Sequence, residues 1–140
     1  MAFAIHLRIS RITINNNNVD LACQEKNGLP RVQFLKSIKA SVRFLSMEAL
    51  LEDLTAIDLM GIQWVIVGGE SGPRARPMKQ EWIENIKGQC DASNTSFFFK
   101  QWGAWGIDAK KRSKKANGRF LLGRTWDSMP GLYGPLPAVC

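Results

Sequence analysis

Glu25, Glu48, Glu70 and Lys100 each close a short apolar or alternating run. Three carboxylates and an ammonium gathered on one rim could divide acid and base roles, neutralise developing charge, or hold a hard cation. The plainer use of such residues is to hydrogen-bond the connecting loops or to meet solvent. The densest piece of this set is "WVIVGGESGPRARP", Trp64 to Pro77. Gly68 and Gly69 permit backbone conformations closed to other residues and let a ligand approach closely. Glu70 and Ser71 follow, and Arg74 and Arg76 supply planar forks suited to phosphate or carboxylate. No Gly-Lys-Ser/Thr follows the glycines, and their spacing is not that of a dinucleotide fingerprint. The competing reading is a tight strand exit with two solvent-facing arginines.

Lys100 is followed by Gln101 and Trp102, with Trp105 close behind. These tryptophans offer a stacking face to a base, or else cap the end of a sheet. His6 is the sole histidine and has no sequence neighbour to pair with, which argues against a Ser-His or Cys-His nucleophile. Cys23, Cys90 and Cys140 are odd in number and far apart, so they suggest neither a disulfide framework nor zinc spacing, and they suit a reducing cytoplasm. Cys90 reads as core. No metal ligand set is expected.

The formal charge is +7, and its surplus is uneven. "KKRSKK" places Lys110, Lys111, Arg112, Lys114 and Lys115 together, and Arg119 and Arg124 follow. Such a block binds polyanions, nucleic acid included, in a salt-sensitive way, or serves as a solvated connector.

The elements that must position these residues follow from patterning. With 140 residues and 45% hydrophobic composition, the chain can form one domain with a real core. No apolar run approaches the length of a membrane span, and the N-terminus lacks the apolar centre of a signal peptide. Residues 3–9 alternate as a strand does, and Asn15 to Asn18 favour a turn. "VDLAC" alternates again, and Pro30 opens a helix with Val32, Leu35 and Ile38 in phase. "VRFLSME" reads as a strand ending at Glu48, "ALLEDLTAIDLMGI" as helix-prone, and Trp64 to Val67 as a strand. A strong helix carries Met78, Trp82, Ile83, Ile86 and Cys90 on one face, and "TSFFFK" reads as a strand buried on both faces. Strand and helix alternate from about Val19 to Lys100, which predicts right-handed crossovers, a parallel sheet, and ligands beyond the strands' carboxyl ends. Leu122-Gly123 marks the turn of a small hairpin in "GRFLLGRTWDSMP", and the last ten residues read as loose surface chain. The expected division is 1–18, an N-terminal strand and Asn-rich turn; 19–106, the β/α unit; 107–118, a basic connector; and 119–140, an extended or hairpin segment.

"WVIVGGESGP-ARP", the Trp82 helix with Gln89-Cys90, "FFFKQWG" and "GR-LLGRTWDSMP" together resemble the phage gene product 37 / gene product 68 family. "VRFLSMEALLEDL" is similar to another segment of it. The resemblance implies a partial, half β/α barrel in the α/β class. In full-length members it also implies an iron-sulphur cluster and S-adenosylmethionine, held through an N-terminal cysteine cluster that has no counterpart here. Ala49 stands where that family usually has proline, Arg74 where it has glycine, and Leu122 where it has aspartate.

The chain is accordingly expected to be the C-terminal part of such a phage-type or prophage protein. It would bind an anionic or nucleotide-like ligand through Glu48, Gly68, Gly69, Glu70, Ser71, Arg74, Arg76, Lys100, Gln101 and Trp102. It would hold no cofactor alone, would not catalyse alone, and would lie in the cytoplasm. Expected partners are a separately encoded N-terminal half or a second copy, with no membrane. The alternatives are a nucleic-acid module built on Lys110 to Lys115, and a non-functional remnant.

Overall fold

The computed structural model describes residues 12–15 and 18–131. The alternating stretch 3–9 with His6, and residues 132–140 with Cys140, lie outside the described residues. The chain forms strands β1 (Ile12–Asn15) and β2 (Asn18–Ala22), helix α1 (Pro30–Ser37), strands β3 (Val42–Glu48) and β4 (Trp64–Gly68), helix α2 (Gln80–Ala92), strand β5 (Ser96–Gln101) and the short helix α3 (Lys114–Asn117). The sheet order is β1-β2-β3-β4-β5. β2 to β5 run parallel, and β1 adds an antiparallel edge, Asn15 pairing with Asn18. This is an α/β fold, as the alternation predicts. The sheet is open, however, so the half barrel is not itself seen.

Period-2 patterning divides the sheet into two unlike faces. Leu21, Leu45, Val65 and Phe97 lie in one register row and Met47, Val67 and Phe99 in the next. All are buried in the core with Val32 and Leu35 of α1 and Ile83, Ile86 and Cys90 of α2. Pro30 opens α1 at the position where a missing N–H costs nothing. α2 presents Ile83, Ile86 and Cys90 at helical spacing. The opposite face carries Phe44 and Trp64 in one row and Ala22, Ser46, Ile66 and Phe98 in another, all only half-buried. The ring chain Phe44–Trp64–Phe98, with centroids 5.3 and 6.0 Å apart, is its apolar centre.

The segment after β3 corrects the sequence reading. "ALLEDLTAIDLMGI" is not helical; residues 49–63 form an irregular crossover. Leu50, Leu54, Ile57, Leu59 and Ile62 are buried, and their spacing is not that of one helical face. Its backbone groups are satisfied over long range: the Leu50 N–H donates to the Gly68 carbonyl and the Leu51 N–H to the Gln24 carbonyl. Gln89 of α2 takes the Ile57 N–H and donates to the Leu54 carbonyl. Burying five apolar side chains on a path that follows the sheet outweighs the local helical bonds that the segment gives up. The Glu48–Ala49 peptide is cis.

The C-terminal segment closes the outer edge of β5. The Phe99 N–H donates to the Trp126 carbonyl, and Phe98 bridges to Asp127 in antiparallel fashion. Leu121 and Arg124 exchange backbone hydrogen bonds around a turn in which Leu122 and Gly123 have φ of 51° and 77°. Positive φ at both central positions is the geometry of a hairpin turn that prefers Asn or Asp first and Gly second. Leu122 is exposed and gains nothing there from packing. Leu122→Asp, or Leu122→Asn, is expected to stabilise the protein by about 0.5–1 kcal/mol, read as a raised urea midpoint at unchanged slope.

Candidate functional site

The carboxyl ends of β3, β4 and β5 lie side by side, and two ion pairs stand on that rim. Lys100 Nζ lies 3.0 Å from Glu48 Oε2. The pair crosses β4 at Gly68, whose missing Cβ would lie 3.5 Å from Glu48 Cγ and 3.6 Å from Lys100 Cβ. Lys100 gains this position from an irregularity between Val67 and Gly68 that aligns Gly68 with Gln101. Gln24 at the end of β2 donates to the Glu48 carbonyl and so ties a third strand end to the pair. Both charged groups remain partly exposed, so the pair contributes about 0–1 kcal/mol to stability and is open to exchange with a ligand.

The second pair shapes the loop after β4. The carboxylate of Glu70 accepts from the Arg76 backbone N–H at 3.0 Å, from Nε at 3.0 Å and from Nη2 at 3.2 Å. This fork closes residues 70–76 into a ring, and the same hydrogen bonds raise the Arg76 pKa above its ordinary value. Glu25, at the β2 end, adds a weaker Coulombic pull on Arg76. A second clamp comes from the chain beyond β5. The Trp105 indole donates to the Ala75 carbonyl at 2.7 Å, Lys111 donates to the Pro73 carbonyl, and the Ala104 N–H donates to the Glu70 carbonyl. Ser71 and Arg74 remain exposed at the loop tip.

Two expected contributors act differently from the sequence reading. A Cβ on Gly69 would sit 1.7 Å from the Trp102 carbonyl oxygen, so the space that Gly69 leaves open is filled by the exit of β5 and not by a ligand. Trp102 is 2% exposed; its indole donates to the Phe120 carbonyl at 2.7 Å and its ring meets Phe99 edge-on. It is a core residue and offers no stacking face. Gln101 is half-buried, and its carbonyl accepts from the Gly69 N–H. The structure therefore joins Glu48 with Lys100 and Glu70 with Arg76, and leaves Ser71 and Arg74 outermost.

The basic run is partly committed to structure. Arg112 pairs with Asp108 and bonds Asn117, whose amide in turn donates to the Gly103 carbonyl. The guanidinium holds the Asp108 carboxyl well below the usual carboxylate range. Ser113 caps α3 by accepting from the Ala116 N–H. Lys110, Lys114 and Lys115 are exposed. The structural roles of Asn117 and Gln89 escaped the sequence reading because a neutral amide signals nothing until its backbone partners are known.

Among the described residues no group of three or more His, Cys, Asp or Glu could hold a metal ion. Cys23 and Cys90 are buried in the core, and burial pushes their thiols up to about 11 and about 12. Their folded pKa lies above the unfolded value, so their contribution to stability is complete below about pH 9 and is lost as pH rises through about 11. Native protein at pH 8 should accordingly resist alkylation at Cys23 and Cys90, and denaturation should release both; rapid labelling of either in the folded state would contradict this burial. No described helix is long and apolar enough to cross a membrane.

Comparison with curated proteins and with solved structures finds no match. A family model described as protein of unknown function (DUF5131) matches residues 10–130, a span that takes in every described strand, α1, α2 and the rim. The chain belongs to that family.

Proposed function

We propose that this chain is the later β/α portion of a barrel-type protein resembling the phage gene product 37 / gene product 68 family, and that its rim binds an anionic or nucleotide-like ligand. The barrel reading is supported by four parallel strands in sequential order, with the described helices α1 and α2 both packed on one face. An interior barrel wall has this one-sided arrangement. The observation that carries the ligand reading is the Glu48–Lys100 pair spanning Gly68 on adjacent strand ends. An incoming phosphate or carboxylate takes the place of Glu48 on the ammonium, and Arg74 at the loop tip adds a planar fork.

The described residues do not fit an iron-sulphur cluster, since Cys23 and Cys90 are buried in the core. Radical chemistry at this rim would require cysteines from outside the described residues. The test is an NMR titration of the chain with pyrophosphate and with a nucleoside triphosphate. Shifts should centre on Gly68, Glu70 and Lys100, and should vanish in a folded Lys100→Ala variant. No rim response at ligand concentrations of about 1 mM would reject the reading.

Exposure of Lys110, Lys114 and Lys115 favours a second reading, nucleic-acid binding by the basic run. Neutralising those three lysines should then abolish binding to single-stranded oligonucleotides while Lys100→Ala leaves it intact, with a salt slope of about −0.7 per phosphate contact. A slope near zero would exclude it.

A further inference from the structure

Resting on the reading of the rim as an anion site, we propose that its ligand is the terminal phosphate of a single-stranded nucleic acid, whose strand lies along the basic segment 107–118. The fold places these two features, separate in the sequence, on one surface. Lys111 Nζ donates to the Pro73 carbonyl and the Trp105 indole to the Ala75 carbonyl, while the Arg112 N–H donates to the Ala104 carbonyl. The segment is thereby fastened to the loop after β4. Its far end returns to the exit of β5: the Trp102 N–H donates to the Gly118 carbonyl, Asn117 to the Gly103 carbonyl and Arg119 Nε to the Lys100 carbonyl. The basic run is therefore no free connector; it borders both Arg74 and Lys100.

The charge on this surface is largely unopposed. Among the described residues Arg74, Lys110, Lys111, Lys114 and Lys115 form no ion pair with a carboxylate, and all five are exposed. Asp108, the acid of the segment, is committed to Arg112. Five such cations suit a chain of phosphates better than a single small anion. Phe120, next to Arg119, is 66% exposed and offers a ring on which a base can stack, which favours an unpaired strand over a duplex.

The rim's acids set where the strand stops. Glu48 ends β3 and Glu25 follows β2, whereas the basic segment is bonded to the exits of β4 and β5. The rim thus changes sign across the sheet. A phosphate backbone continued past Lys100 towards β2 would run over carboxylates, while a strand end stops at the ammonium.

Fluorescence anisotropy tests this with single strands of about eight nucleotides, as DNA and as RNA, phosphorylated at the 5′ end, at the 3′ end or at neither. At least one phosphorylated form should bind about 100-fold tighter than a nucleoside monophosphate, with a log–log salt slope of about −2 or steeper. Removing the terminal phosphate, or Lys100→Ala, should each weaken that binding about tenfold, and the two losses should not add. Lys100→Gln serves where the alanine variant does not fold. Replacing Lys110, Lys114 and Lys115 together by Gln should reduce the affinity to that of the monophosphate with an unchanged circular dichroism spectrum. An octanucleotide that binds no tighter than the monophosphate overturns the proposal and leaves the rim reading standing. Binding indifferent to both the terminal phosphate and Lys100→Ala belongs to the basic run alone and overturns the joint site. Equal affinity for poly-glutamate of similar length overturns it in favour of an acidic peptide. A rim that does not respond to pyrophosphate removes the reading beneath it as well.

Discussion

Gly69→Ala should destabilise the protein by about 3 kcal/mol or more, enough to prevent folding of a marginal domain. The added methyl would lie 1.7 Å from the Trp102 carbonyl oxygen and 2.6 Å from its carbon, and both are backbone atoms that cannot rotate away. The two strand exits are fastened there by the Gly69 N–H bond to the Gln101 carbonyl, so relief requires parting β4 from β5. Gly68→Ala is the internal control. Its Cβ meets side-chain carbons of Glu48 and Lys100 at 3.5 and 3.6 Å and the Gln101 carbonyl oxygen at 3.9 Å, all ordinary contact distances, and its cost should stay within about 1 kcal/mol. Urea denaturation of the pair decides the matter. Equal stabilities for the two variants would mean that the close crossing of the exits is wrong. The adjacent glycines thus separate into one that the chain crossing demands and one over which an ion pair runs.

Gln89→Leu is the second large effect, expected to cost about 2–3 kcal/mol. The amide receives the Ile57 N–H at 2.6 Å and donates to the Leu54 carbonyl at 3.0 Å, so its loss orphans two backbone groups at once in the crossover from β3 to β4. Hydrogen exchange at the Ile57 amide should accelerate in the variant more than exchange in the centre of β4. A uniform change across the chain would show instead that Gln89 acts through general packing.

Much of this architecture is legible in the residues. Alternation marks β2, the short run "VRFLSME" marks β3, the apolar run "TSFFFK" marks β5 (although Phe98 proves only half-buried), the phase of Ile83, Ile86 and Cys90 marks α2, and Pro30 marks the start of α1. The order of those elements gives the parallel sheet and places Glu48, Glu70 and Lys100 at strand ends. What is not legible depends on distant partners. The segment 49–63 has helix-forming residues, yet Leu50, Leu54, Ile57, Leu59 and Ile62 are spaced to follow a surface already built by the sheet. Trp102 looks equally suited to solvent and core until Phe120 supplies a carbonyl for its indole. The pairing of Arg76 with Glu70, and not with a ligand, likewise follows from how sharply the loop turns back on itself.

The irregular crossover also bears on the order in which the molecule assembles. A helix between β3 and β4 would form from bonds four residues apart and could appear early. Here the segment waits for Gln89, whose partners Ile57 and Leu54 lie 32 and 35 residues earlier in the chain. Such closures raise the mean separation of contacts and slow the search for the native state. The crossover should therefore be among the last parts to order, after α2 has docked on β4 and β5. Conservative truncations at Leu54 and Ile57 should speed unfolding while leaving the folding rate nearly unchanged.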